Sequence, residues 1–413
     1  MSHHDVIVIG VGLAGLVAAV RLAEAGARVL VVAKGIGATH LSPCTIDVLG
    51  YAPERVDHPL ERLPSFLQER PGHPYGAVGA EGIVDAVDWL KAHAPGYSGS
   101  LERNFLLPTA LGVPRPTAVV PATMAHGDLR AADAVAVVGF SALKDFHPAL
   151  LADGLRRLTP AVEARPIELD LVPAGRADVS SLGYARAFDD PDFRARVVTH
   201  LGLRLRARER VAFPAVLGVT AADAVWTELE GRLGHAVFEI PTLPPSVPGI
   251  RLHRVLSDAL RRAGGTVRLN VVATGAEHAG SRVTALRVRS GLRVQRHGAD
   301  WIVVASGGFA SGGLELRPDG SARETALGLP VTGVPSHGAP RFAPEYFARH
   351  PVDQAGVAVD GGLRPLDGAG GRVYENVLVA GATLAGCEPW REKSGDGISL
   401  ATGYAAAGEV LGR

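Results

Sequence analysis

Gly10-Val11-Gly12-Leu13-Ala14-Gly15 is a G-x-G-x-x-G run close to the start of the chain. Each glycine has a chemical use. The first permits a tight turn, the second lets backbone approach a pyrophosphate, and the third lets a helix pack closely on a strand. Free N–H groups at a helix N-terminus then face the phosphates. The motif is informative only between a strand and a helix. That context is present. Residues 5–9 are apolar, and Leu13, Leu16, Val17 and Val20 recur on one helical face. A glycine-rich turn that binds nothing is the competing reading. The carboxylate that usually ends the second strand and bonds a ribose is missing, because that strand ends Val31-Val32-Ala33-Lys34. Lys34 is either a cation for phosphate or a solvated strand end.

Two later glycine groups bear on the cofactor. Val303 to Phe309, with Gly307-Gly308, resembles a segment of flavin-dependent dehydrogenases. The stretch ending Val379-Ala380-Gly381 resembles their last strand. Gly395-Asp396-Gly397 resembles the helix start that meets the flavin ring, where a helix N-terminus favours negative charge. Leu13 and Ala14 complete the expected cofactor contacts. A glycine-rich core without flavin is the alternative.

These residues need a scaffold. Gly26 stops the first helix, and residues 28–32 read as a buried parallel strand. Residues 35–130 carry little pattern. Residues 134–138 form another apolar strand, running into an expected helix over 139–145. Residues 150–240 read as an insertion, with Arg204, Arg206, Arg208 and Arg210 ambiguous between helix and strand. Leu252, Val255, Leu256, Ala259 and Leu260 mark a helix that Gly264-Gly265 ends. Residues 282–289 and 292–297 suggest a hairpin, 301–305 and 377–380 strands, and 398–411 a closing helix.

Lys+Arg and Asp+Glu are both 42, so no bulk charge draws the chain to nucleic acid or an anionic membrane. Two cysteines, Cys44 and Cys387, cannot ligate an ordinary iron–sulfur cluster, and they read as free thiols of a cytoplasmic protein. No signal peptide or span of 18 apolar residues stands out, so any membrane link is expected through another chain. His3-His4 lacks further ligands nearby, and no metal is expected.

Three segments narrow the reading. Pro241-Thr242-Leu243-Pro244-Pro245-Ser246-Val247 with Gly249-Ile250-Arg251-Leu252, residues 303–314 with Ser311-Gly312-Gly313, and residues 356–365 with Leu363-Arg364-Pro365 are similar to the B subunit of the anaerobic glycerol-3-phosphate dehydrogenase. The likeness runs from Asp5 to about residue 407 and is thinnest over 150–230. It implies an α/β fold: a Rossmann-like, discontinuous FAD/FMN-binding domain with an inserted α+β cap or substrate domain. The expected division is 1–50, 120–150, 248–310 and 370–413 for the flavin domain, and 151–247 with 311–369 for the insertion.

The resemblance further implies oxidation of sn-glycerol 3-phosphate to dihydroxyacetone phosphate, with electrons passed to a quinone. It implies two partners: a catalytic flavoprotein chain, and an iron–sulfur chain that links the pair to the membrane. It assigns FMN to chains of this kind, whereas the glycine turn is built for the pyrophosphate of FAD, so both stay open. Arg251 and Arg364, in family-like segments, are candidates for the substrate phosphate, with structural ion pairs as the alternative. His40 is a candidate base or a loop histidine. Asp47 and Asp396 read as turn or helix-start residues, and Cys44 and Cys387 as buried small residues. Two other roles remain open: a non-catalytic flavin-binding relay that docks the catalytic flavoprotein, and a flavin dehydrogenase of another hydroxy or amino substrate.

Overall fold

A computed structural model describes residues 2–131, 133–173, 178–336 and 338–412. In chain order the elements that matter are β1 (His3–Ile9), α1 (Leu13–Glu24), β2 (Val29–Val32), α2 (Tyr75–His93), β3 (Ala134–Phe140), β4 (Ala164–Leu169), β5 (Glu209–Pro214) and β6 (Val237–Ile240). They continue as α3 (Val247–Arg262), β7 (Thr266–Arg268), β8 (Val272–Ala279), β9 (Arg282–Ser290), β10 (Arg293–Val304), β11 (Val377–Val379) and α4 (Gly395–Leu411).

The first sheet has the order β7-β2-β1-β10-β9-β8, with β11 also paired to β10. Its centre is parallel and buried on both faces, so β2 is continuously apolar rather than alternating. On one face lie α1, α2, α3 and α4. On the other face, Ile7, Leu30, Ile302 and Val377 pack against residues from the 314–331 and 357–384 segments. The register sets the functional edge. Ile9 pairs with Val32 and with Val304, and Val304 pairs with Val379. Four strands therefore end in one row, and the chain leaves that row at Gly10, Ala33, Ala305 and Ala380. Strand β1 feeds β2 on one side and meets β10 on the other, which makes this row a topological switch point.

Strand β3 does not join that sheet. It lies inside a second, wholly parallel sheet of order β6-β5-β3-β4. The expectation grouped residues 120–150 with the flavin domain, whereas residues 134–140 pair only within the second sheet. Apolar content marks β3 as buried but carries no information about which strand it pairs with. The second sheet has its own core, in which Phe140 stacks on Tyr184 at 4.6 Å and Phe188, Phe213 and Phe238 are buried.

Other departures are local. Residues 141–147 are turns, and the helix expected over 139–145 starts only at Pro148. Arg204, Arg206 and Arg208 lie in the turn before β5, and Arg210 is on the strand, where its guanidinium donates to the carbonyls of His126 and Asp128. The expected hairpin gains a third strand, β8, and β10 runs unbroken from Arg293 to Val304. Residues 59–69 and 75–93 are helical.

Candidate functional site

The glycine turn occupies the switch point. Gly10 has φ +111°, and a side chain there would run into the Ala305 carbonyl. A side chain at Gly15 would strike the Gly10 carbonyl. Gly12 differs: a Cβ at this position meets no atom within 4 Å. Thus Gly10 and Gly15 are glycine for packing, while Gly12 faces open space at the N-terminus of α1, which no side chain caps. The loop after β2 returns to this point, and Gly37 lies against Gly12. Ala33 is buried and Lys34 is exposed. As the sequence suggested, β2 ends without a carboxylate for a ribose.

The later bends are fastened to the same edge. Gly307 N donates to Thr383 Oγ1 at 3.1 Å, and Gly381 N donates to Thr402 Oγ1 at 2.9 Å. A Cβ on Gly308 would sit 3.0 Å from Ala382 O, and one on Gly381, with φ +73°, would sit 2.9 Å from Ala14 Cβ. Ser306 Oγ donates to the buried Glu324, whose carboxyl is pushed up by burial and accepts from Ala326 N and Leu327 N.

The N-terminus of α4 adds polar groups. Gly397 N donates to Asp47 O at 3.1 Å, and Asp396 accepts from Ser42 Oγ at 2.6 Å. Burial pushes the Asp396 carboxyl up to about 6, against the opposing hydrogen bond from Ser42. Asp47 is buried and pairs with Arg115, Nε to Oδ2 being 2.9 Å. Lys393 precedes α4 in the left-handed region at φ +50°. Tyr75 donates to Val48 O, and Tyr97 to Cys44 O. Burial raises both thiols, that of Cys387 to about 12, and both cysteines are free and buried.

Asp396 gives a pH-dependent expectation. Its proton is held more tightly in the folded chain, so the stability this lends is complete below pH about 4. It is lost as the pH rises through about 6, when the folded chain must bury the charge. Asp396→Asn keeps an acceptor for Ser42. It should exceed the parent in stability by about 1–2 kcal/mol at pH 8, after discounting for the partly open carboxyl, and match it near pH 4. Urea unfolding at the two pH values measures this, and a difference that fails to grow with pH contradicts the buried-charge account.

His40, one of the nominated catalytic side chains, lies in the loop between Gly37 and Ser42, and the two nominated arginines are held in ion pairs. Arg251, on α3, holds Glu239 with bonds of 2.6 and 2.9 Å and donates to Gly218 O at 2.8 Å. Arg364 pairs with Glu409 at 3.1 Å, near the far end of α4, and donates to Glu375 O. Both guanidiniums are engaged by the chain's own acceptors, the ion-pair alternative to a substrate phosphate. His40 packs its ring 4.6 Å from that of His253, and burial lowers both, His253 to about 4. Ser42, Arg115 and Lys393 were missed. They come from a loop, a short strand and a helix cap, so no spacing links them. Among the described residues no group of His, Cys, Asp or Glu could hold a metal ion, and no helix is long and apolar enough to cross a membrane.

Residues 5–398 match the family described as FAD binding domain. The probable B subunit of an anaerobic glycerol-3-phosphate dehydrogenase from Halobacterium salinarum is 34% identical, covering 97% of this chain and 96% of the relative. The corresponding B subunit from Pectobacterium carotovorum, of the same anaerobic dehydrogenase, is 31% identical over 99% of each chain. Among solved structures, the 3-ketosteroid Δ1-dehydrogenase of Sterolibacterium denitrificans covers both chains fully at 13% identity, with a TM-score of 0.48.

Proposed function

This chain belongs to the family of anaerobic glycerol-3-phosphate dehydrogenase B subunits, flavin-binding oxidoreductases with an FAD binding domain, and from that premise we propose that it oxidises sn-glycerol 3-phosphate to dihydroxyacetone phosphate. The observation that supports this reading best is the row of parallel strand ends from which the bends at Gly10–Gly15, Gly307-Gly308 and Gly381 all leave.

We assign FAD rather than FMN. The open space at Gly12 and the uncapped first turn of α1 suit a pyrophosphate, which FMN lacks. No carboxylate on β2 would hold the ribose, and the exposed Lys34 would be available to a phosphate. Bound along these bends, the flavin supplies the two-electron acceptor. The N-terminus of α4 at Gly395–Gly397 would face its ring, where the partial positive charge would suit a reduced cofactor. Loss of hydride from a secondary alcohol also releases the hydroxyl proton. Asp396, oriented by Ser42 and ionised at neutral pH, is the acceptor we assign.

The family name denotes one component of an assembly, and we propose a catalytic flavoprotein partner and an iron–sulfur partner that carries electrons to membrane quinone. No helix among the described residues is long and apolar enough to cross a membrane, and we propose that contact with the bilayer is made through such a partner. We propose as domains the unit around the first sheet and an inserted unit spanning roughly residues 131–246 around the second, the latter forming a cap.

The decisive test is the mass of the cofactor released from gently purified protein. FAD is expected, in a yellow protein whose colour bleaches when glycerol 3-phosphate and the partner chains are added. FMN would overturn the pyrophosphate argument, and a colourless protein would overturn the function.

A further inference from the structure

Lys393 is in an expensive position. It is a non-glycine residue in the left-handed region, at φ +50°, and its side chain is half-buried. No carboxylate lies within 4.0 Å of its ammonium among the described residues, so it has no ion pair. Its neighbour across Gly50 is the strand that carries Arg115: a Cβ on Gly50 would lie 2.8 Å from Lys393 Cβ and 3.0 Å from Pro116 Cγ. Burial depresses the lysine, and the Arg115 charge depresses it further, with Asp47 opposing. Asp47, the carboxylate that acts on both cations, spends Oδ2 on Arg115. Its buried Oδ1 has no hydrogen-bond partner among the described residues. Asp396, the other nearby carboxylate, accepts from Ser42. Asp47 thus faces both cations, and its second oxygen is unsatisfied.

We propose that Arg115 and Lys393 form the anion-binding subsite of the substrate pocket, holding a phosphate monoester, with Asp47 Oδ1 accepting from a hydroxyl of the same ligand. The assignment rests on the function proposed above and replaces Arg251 and Arg364 in that role. An anion set between the two cations turns their repulsion into attraction. The arginine supplies a planar fork for two phosphate oxygens, and the lysine a point charge. The Lys393 backbone leads directly into the start of α4, so the same few residues would position the phosphate beside Asp396 and Ser42.

The test is equilibrium dialysis of the flavin-loaded protein against labelled inorganic phosphate and, separately, sn-glycerol 3-phosphate. Lys393→Met is the primary variant, because Lys393 has no ion-pair partner to strand. Arg115→Lys is the second, because it keeps a cation beside Asp47. Each is expected to weaken both ligands at least tenfold while flavin content stays at the parental level. Parental affinity in Lys393→Met overturns this inference alone. Loss of flavin from Lys393→Met also overturns it, since the cations would then serve the cofactor. A parent protein that binds neither ligand overturns the inference and the substrate assignment together.

Discussion

Alanine at Gly12 is expected to leave the apoprotein as stable as the parent while lowering its flavin affinity about 100-fold, close to 2.7 kcal/mol. Alanine at Gly10 is expected to destabilise the apoprotein itself, by about 3 kcal/mol or more. The two residues belong to one motif, and their surroundings separate them. Gly12 has φ −70° and ψ −177°, a conformation any residue adopts, and a methyl group there touches no protein atom within 4 Å. Its only effect is on what enters the space outside the turn, where the N–H groups of α1 would receive a pyrophosphate. Gly10 has φ +111°, and its methyl would press on the Ala305 carbonyl where β10 leaves the sheet. That contact cannot yield cheaply, because Ala305 N is bonded to Ile9 O at 2.8 Å and Gly10 N to Val32 O at 2.9 Å. Thermal unfolding of the two apoproteins, with quenching of flavin fluorescence on titration, measures both effects. A Gly12→Ala protein that binds flavin like the parent would remove the phosphate turn from the cofactor site.

What the sequence discloses follows the reach of each signal. Strand β2 and helices α1, α3 and α4 are legible because their apolar residues recur within one element. Helices over 59–69 and 75–93 are obscured: the first holds Pro64, and the second bends at Gly79. The second sheet is hidden for a different reason. Its strands lie up to a hundred residues apart, and nothing local in β3 tells that its neighbours are β4 and β5 rather than β1. The glycine turn between β1 and α1 is legible because one short segment carries all three glycines. The polar end of the site is assembled from residues 42, 47, 115, 393 and 396, and only folding brings them together. Asp396 could be read as a helix start but not as a half-buried acid, since the Ser42 hydroxyl and the burial come from elsewhere.

Arg251 illustrates the same gap, and its replacement gives a large expected effect. Arg251→Ala should lower stability by about 3–5 kcal/mol, the usual cost of removing one partner of a buried pair. Its partner Glu239 is fully buried, the side chain being 0% exposed, and would keep only Thr123 Oγ1 at 2.7 Å and Leu217 N at 2.8 Å. The pair also joins the two halves of the molecule. Arg251 sits on α3 beside the first sheet, while Glu239 lies on β6 and Gly218 follows β5 of the second. A residue placed this way is a pin between units, so a recognisable arginine in the segment from Pro241 to Leu252 need not touch substrate. Replacing both partners, as Arg251→Met with Glu239→Gln, should recover most of the loss, because no charge is then left buried without its counter-ion. Urea unfolding of the parent, the two single variants and the double variant closes the cycle. In the assembled enzyme below the unfolding transition, KM for glycerol 3-phosphate should stay at the parental value in Arg251→Ala. A large rise in KM with little change in stability would return Arg251 to the substrate and displace Arg115 and Lys393 from it.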